Sequence, residues 1–382
     1  MLTEKLYYKD QYMKEFTAKV LSCSSRQDGN YGVILDRTAF YPEGGGQPGD
    51  TGTLSDSDVL DTVEEGGEIV HICSSSCDAG SEVSGSIDWD RRFDHMQQHT
   101  GEHIISGMIC SELHCDNVGF HMGSDSVTID YNAPADLETI LAIEKKANAY
   151  IMEDHPAYIF FPDSCELKSL HYRSKKELEG DVRIVSFPGA DMCACCGTHL
   201  SSSSQVGLVK VTGVKKFHEG VRIDLLCGKR AVDYLMACWR QNSAIGRELS
   251  SPFDATYSAV VRVVEQTERL KERLSLLEDE NYSLTASGYA GAGDVCIIKE
   301  TMETDSIRRL CEAVYSVCGG YCAVFSGKEN SYRYSLMAPD DRLQDICRSI
   351  NSALCGKGGG RNGLAQGSVS ADESSIRQFF NI

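Results

Sequence analysis

No stretch of this 382-residue sequence stays apolar for the roughly 18–20 residues that a membrane-spanning helix needs. The opening segment MLTEKLYYKDQYMKEF also lacks the apolar core of a secretory signal, so a cytoplasmic protein without a membrane partner is expected. Positive charge is scarce. Lys+Arg 37 stand against Asp+Glu 56, a formal net charge of −19, which on its face argues against a nucleic-acid partner because polyanions repel. The deficit is local, however. Between Asp50 and Asp90 the chain carries eleven acids and no lysine or arginine, which leaves −8 for everything else. Net charge therefore points to one acidic face turned away from a polyanion, not to the absence of one.

What the chain does contain is the material of a folded protein: 41% hydrophobic and 24% charged residues exclude wholesale disorder, and the length suits two or three domains. Seventeen cysteines are many for a compartment that keeps thiols reduced, so they read as buried thiols with room for a metal site, not as a disulfide framework.

Short period-2 apolar stretches, Phe16 to Leu21, Tyr31 to Leu35, Glu68 to Ile72 and Val83 to Ile87, make residues 1–90 a small antiparallel, barrel-like β domain. A helix is expected from Arg91 to Cys110, then a strand Val127 to Tyr131, a helix Leu137 to Met152, and strands Tyr158 to Phe161, Val182 to Ser186, Val206 to Thr212 and Val221 to Leu226. Residues 91–235 thus read as a mixed α+β domain. Residues 236–290 are helical, and Val260, Val263, Thr267, Leu270, Leu274, Leu277, Asn281 and Leu284 keep 3-4 spacing. This is a heptad seam for either a hairpin on its own chain or a dimeric coiled coil. Residues 291–382 read β-α-β-β-α, then GKGGGRNGLAQGS, then a last helix, an α/β domain. The fold class is α+β.

Three clusters carry chemistry. His99-Thr-Gly-Glu-His103 falls in the expected helix, so its two imidazoles share one face at chelating distance; it also fits the HxxEH pattern of inverted zinc peptidases, with Glu102 as base. Cys195-Cys-Gly-Thr-His199 adds a thiolate and a third imidazole from a glycine-bearing loop. Together the two motifs supply four N/S donors, the set that tetrahedral zinc takes, although the run Cys193, Cys195, Cys196 leaves the thiolate open. The third cluster, Leu35 to Gln47, ends a strand in three consecutive glycines that let a ligand approach the backbone.

DRTAFYPEGGGQPGDTG, RRFDHMQQHTGEH and GDVRIVSFPGADMCACCGTH, in this order, resemble the editing domain of alanyl-tRNA synthetases and its free-standing relatives, the AlaX proteins, over roughly residues 15 to 235. GKGGGRNGLAQGS resembles the glycine-rich motif of the synthetases' C-terminal domain, whereas the adenylation motifs are lacking. The whole looks like the long form of AlaX. The resemblance implies ATP-independent hydrolysis of tRNA(Ala) mischarged with serine or glycine, with one Zn2+ per chain held by His99, His103, Cys195 and His199. In the family's CGGTH the first glycine is here Cys196, and the synthetases' HTATH reads HTGEH, so Glu102 is expected to assist the site. The resemblance also puts Thr38 and Gln47 where the serine hydroxyl would be recognised, since a site built around a polar partner rejects alanine far better than shape alone.

His95, one helical turn before His99, and His121 read as neighbours of the pocket or as core histidines, and Arg91 and Arg92 as phosphate contacts or solvated side chains. Six bases against three acids between Gln205 and Tyr234, with Lys215 and Lys216 central, are compatible with an RNA-facing surface. In the tail, Lys357, Gly358, Gly359, Gly360 and Arg361 would grip phosphate. The resemblance adds a homodimer through the arm or the C-terminal domain. Two other readings compete: a zinc peptidase taking a third ligand from Glu138 or Glu144, and a non-catalytic tRNA-binding module.

Overall fold

The computed structural model describes residues 3–174 and 182–382, so Gly180 and Asp181 of the motif GDVRIVSFPG lie outside the described residues. The chain divides into two compact units, Met1–Asn242 and Ser243–Ile382.

In the first unit, strands β1 (Glu15–Ser25), β2 (Tyr31–Leu35), β3 (Gly52–Leu54), β4 (Ser57–Glu65), β5 (Glu68–Cys73) and β6 (Glu82–Ile87) close a barrel in the order β1-β2-β5-β4-β3-β6. Alternation sets its interior: in β6, Val83 and Ile87 are buried while Glu82, Ser84 and Ser86 face out. Phe16, Val20, Val33, Leu35, Leu54 and Val59 fill the core. Two strands, β3 and β4, lie in the acidic segment where the polar residues hid the alternation. Most of that segment's acids are exposed, whereas Asp50 is fully buried.

Helix α1 (Trp89–Leu113) follows directly, extending two residues before and three beyond the expected span. Asp88 caps it by accepting from Arg91 N, and His114 ends it in a left-handed conformation. Its middle is buried nearly all round. It packs in one core with a four-stranded sheet ordered Val209–Phe217, Gly220–Cys227, Val127–Tyr131, Asn117–Met122, and with helix α2 (Leu137–Met152), which has the expected bounds. A three-stranded sheet, Tyr158–Phe160, Ile184–Phe187 and Asp191–Ala194, brings the cysteine-bearing loop to α1.

Arg92 ties this domain to the barrel. It is fully buried, donates to Asp50 through Nε (2.9 and 3.0 Å) and Nη2, and binds the carbonyls of Gln11 (3.0 Å) and Ala39 (2.6 Å). Asp50 in turn accepts from Tyr41 N at 2.6 Å. A buried guanidinium needs this full set of partners. Arg92 is therefore a structural residue here, not a phosphate contact.

A helix Gly228–Glu248 runs through the boundary between the units, and a break around Pro252 separates it from a second helix, Thr256–Ser287. Near its end Tyr282 and Ala286 are buried, and Arg309 pairs with Glu278 (2.9 Å) and Asp279 (2.6 Å). Upstream, the heptad seam is open: Leu270 and Leu274 are 70% and 60% exposed. Beyond it lies a five-stranded sheet ordered Gly293–Lys299, Gly319–Lys328, Ser331–Met337, Leu364–Val369, Lys357–Arg361, with helices Thr304–Cys318, Asp340–Ala353 and Glu373–Phe380. The glycine-rich motif is a hairpin. Lys357–Arg361 is the sheet's edge strand, turned into its neighbour by Asn362 and Gly363, both at positive φ (55° and 77°), a two-residue hairpin turn.

Candidate metal centre

His99 and His103 project from one face of α1, and Cys195 and His199 come from the loop after strand Asp191–Ala194. One ligand atom from each of the four lies within 4.8 Å of the others. Cys195 Sγ is 3.4 Å from His99 Nε2 and 3.4 Å from His199 Nε2. An ion at the bond lengths usual for zinc, with tetrahedral angles, sets a sulfur–nitrogen edge of about 3.5 Å. The donor set and its spacing fit that metal.

The far nitrogen of each imidazole is held from behind. His99 Nδ1 donates to Gln47 Oε1 at 2.9 Å; His103 Nδ1 lies 2.9 Å from Asp191 Oδ2; His199 Nδ1 lies 3.4 Å from Thr100 Oγ1. Partners on Nδ1 fix both tautomer and ring orientation and turn Nε2 inward. Asp191 is anchored by Arg173 at 2.7 and 2.8 Å. Gln47 Oε1 also accepts from Thr198 N (3.1 Å), and its Nε2 donates to Thr198 Oγ1 (2.9 Å), which locks the loop onto the barrel. Gly197 is needed here because a Cβ at that position would sit 2.2 Å from the His99 ring. Gly101 has a similar cause: an added Cβ would meet Cys227 Sγ at 2.4 Å, so this chain has no room for the alanine of HTATH.

The electrostatics suit a metal. Burial disfavours the Cys195 thiolate, yet His99, His199 and His103 outweigh it and hold the thiol well below its ordinary value. Burial, then neighbouring His99, holds His199 neutral. On His103 burial opposes the charge, but hydrogen bonds to Asp191 and Cys195 raise it to about 9, so binding an ion there displaces a proton. Cys193, the other thiol of the CxCC run within reach, is buried on the Asp191 side, in a second group with His103 and Asp191. Cys196 points elsewhere, with Sγ 3.5 Å from Tyr41 Oη at the exposed edge of the loop. All seventeen cysteines are free thiols.

Other expected site residues are placed differently. Thr38 is buried in the barrel, its Oγ1 2.8 Å from His71 Nε2 and accepting from Phe40 N at 3.1 Å. His71 Nδ1 donates to Val33 O (2.9 Å), which makes Nε2 the acceptor for Thr38. Glu102 turns from the four donors: its Oε1 accepts from Ser106 Oγ (2.7 Å) and Asn117 Nδ2 (2.8 Å). Of the peptidase candidates, Glu144 binds Lys210 and Val211 N, and among the described residues neither it nor Glu138 joins His99 and His103 in a metal-capable group. His121 is exposed. Lys215 pairs with Asp224 at 2.8 Å on the surface, and Lys216, Lys357, Gly358, Gly359 and Arg361 are exposed, with Gly360 half-buried.

Sequence reasoning missed Asp191, Thr100, Thr198, Gln11, which accepts from His199 N, and Phe120, stacked on His99 at 5.1 Å. Asp191 offered a signal, an acid in the same motif four residues before Cys195. Thr100 and Thr198 also lie inside the two motifs, whereas Gln11 and Phe120 carry no signal because they reach the site from distant segments.

Residues 3–91 match a family model described as class II tRNA synthetases (A), and residues 182–223 match the threonyl and alanyl tRNA synthetase second additional domain. An alanyl-tRNA editing protein, AlaX-L of Pyrococcus horikoshii, is 29% identical with 98% of this chain and 96% of that protein aligned. An alanyl-tRNA editing protein of Mus musculus is 28% identical over 95% and 93%. The alanine–tRNA ligase of Thermofilum pendens is 30% identical over 97% of this chain but 43% of its own length. The editing-protein alignments run nearly end to end on both sides, and the two family models match the segments that hold the glycine cluster and the cysteine loop. The chain is similar, nearly end to end, to the alanyl-tRNA editing proteins of the long AlaX kind.

Proposed function

We propose that the chain is a trans-editing hydrolase that removes serine, and also glycine, from mischarged tRNA(Ala) by cleaving the aminoacyl ester, with one zinc ion held by His99, His103, Cys195 and His199. One observation carries this reading: three inward Nε2 atoms and one low-pKa thiol converge, each imidazole held from behind by Gln47, Asp191 or Thr100. Zinc so held supplies an electrophile that orients and polarises a substrate group. Four protein donors fill a tetrahedral set, so the ion would reach a substrate group only by taking a fifth ligand or releasing one, and the residues around the donors orient the ester and the water.

Gln47 suits recognition of the serine hydroxyl. Its Oε1 and one Nε2 hydrogen are used on His99 and Thr198, and the amide has a second Nε2 hydrogen. Alanine would leave that donor unpaired, which is the stronger form of discrimination. Thr38 and Glu102 act as positioning residues, Thr38 by fixing the Phe40–Tyr41 backbone and Glu102 by fixing Asn117 beside strand Asn117–Met122. Thr38→Val should shift the ratio of seryl- to alanyl-tRNA turnover; an unchanged ratio removes Thr38 from selectivity.

Lys215, Lys216 and the edge strand Lys357 to Arg361 form the contacts to tRNA. Two copies pair through the Val260 to Leu284 seam, whose exposed leucines support this. Deacylation of Ser-tRNA(Ala), Gly-tRNA(Ala) and Ala-tRNA(Ala), each with and without chelator, tests the reading: the first two should be hydrolysed in a chelator-sensitive way and the third spared. A protein that binds tRNA(Ala) and leaves all three intact is a binding module instead.

A further inference from the structure

At the N-terminal end of α1 is a cavity of about 810 Å³. Trp89, Arg91, Phe93, His95, Lys229 and Arg230 line it. Its size is that of a small-molecule site, and its wall combines an aromatic pair with three cations and two carboxylates, Asp90 and Asp94, a balance of one positive charge. Trp89 and Phe93 have ring centroids 5.8 Å apart and a 40° tilt. Arg230 is neutralised by Asp94 (2.6 Å) and tied to Gly123 O. Arg91 uses Nε and Nη2 on the Gly49 carbonyl, and among the described residues no carboxylate pairs with it. Lys229 meets Asp233 in an exposed i,i+4 pair that a stronger anion displaces readily.

His95 marks the cavity as built for a ligand. It is 3% exposed, and its Nδ1 is buried without a hydrogen-bond partner. A buried polar atom left unsatisfied costs about 1–3 kcal/mol, so its presence in a cavity wall calls for an explanation. His95 is also four residues before His99, on the same face of α1 and about 6 Å along the axis. The cavity thus adjoins the four-donor cluster along one helix.

Resting on the hydrolase reading, we propose that this cavity seats the terminal nucleotide of the tRNA 3′ end. The base lies against the Trp89–Phe93 wall, its 5′ phosphodiester meets Arg91 and Lys229, and His95 makes one hydrogen bond to the base edge. Stacking on aromatics with a cation on the backbone is how single strands are held without a duplex. The ester on the terminal ribose then reaches the metal centre one helical turn away.

The test is calorimetric titration of the zinc-loaded protein with the trinucleotide CpCpA, and with inorganic phosphate as the comparison. CpCpA should bind at least tenfold more tightly than phosphate. Lys229→Gln, at an exposed position, and Arg91→Gln, which also gives up the bonds to the Gly49 carbonyl and is therefore checked by its melting temperature, should each weaken CpCpA about fivefold or more. Phe93→Ala should do the same, and the loss in deacylation should fall in KM. Equal affinity of wild type and all three variants, or no binding of CpCpA by wild type, overturns the proposal. If CpCpA binds through these residues while Ser-tRNA(Ala) is left intact, the cavity stands and the hydrolase reading fails.

Discussion

The metal centre and the helical arm satisfy their chemical groups in opposite ways. Around His99, His103, Cys195 and His199 the chain supplies its own second layer, so the cluster is complete apart from an ion. On the arm, Leu270, Leu274 and Leu284 are 70%, 60% and 75% exposed, whereas the edge strand Lys357–Arg361 has the carbonyls of Gly358 and Gly360 taken up by Asn351 and Gln344 and keeps its two cations exposed. A region that orients its own ligands suits chemistry, and one that leaves an apolar seam exposed suits a partner. The first unit accordingly holds the chemistry of the proposed function together with the RNA contacts Lys215 and Lys216, and the second holds its assembly seam and the contacts of Lys357 to Arg361.

The largest effect that would break this contrast comes from the first unit. Arg92→Ala leaves Asp50 buried without its partner and should cost about 3–5 kcal/mol, read as a large drop in melting temperature; a shift under a degree or two would show the barrel and helix to be independent. Next is the arm. Leu270→Glu with Leu274→Glu should raise the dimer dissociation constant at least about a hundredfold in analytical ultracentrifugation, at roughly 1.5–3 kcal/mol per buried leucine, and leave zinc content unchanged. A monomeric wild type would contradict the assignment of the seam.

His71 gives a pH effect confined to the barrel. Burial lowers its pKa to about 4, against about 6.5 in an unfolded chain. The unfolded state therefore binds the proton first, so stability is full above about pH 6.5 and falls as pH drops toward 4, by about 3 kcal/mol. Denaturant melts at pH 7 and pH 4.5 should show this slope, and His71→Gln should flatten it. The smallest effect is on the second layer: Asp191→Asn should weaken zinc about 10–100-fold in a chelator competition without altering the arm.

How much was legible depended on whether a feature is local. The pair His99/His103 shares a helix face and the loop adds a thiol and an imidazole, so spacing pointed to a metal site, while the choice of Cys195 among Cys193, Cys195 and Cys196 came from the resemblance. Helix α2 was legible to the residue because its apolar period is uninterrupted and Asp136 caps it. Strands β3 and β4 were not, since Asp56, Asp58, Asp61, Glu64 and Glu65 obscure a pattern that only the barrel interior explains. The run of glycines before Arg361 is assigned no element by the sequence, and it pairs in a sheet because Asn362 and Gly363 form the turn. Thr38 had the right chemistry for a binding group; its hydroxyl is committed to His71, thirty-three residues away. Arg92 and Asp50 looked like solvated charges for the same reason, as their pairing spans the barrel.

The central claim is that the four-donor centre holds the ion on which ester hydrolysis depends. It is tested most directly by measuring zinc content and Ser-tRNA(Ala) deacylation together in wild type and His103→Ala. The account predicts one zinc per chain and deacylation in wild type, with both lost in the variant and with activity in wild type abolished by chelator and restored by zinc. Deacylation that persists in metal-free protein would contradict it.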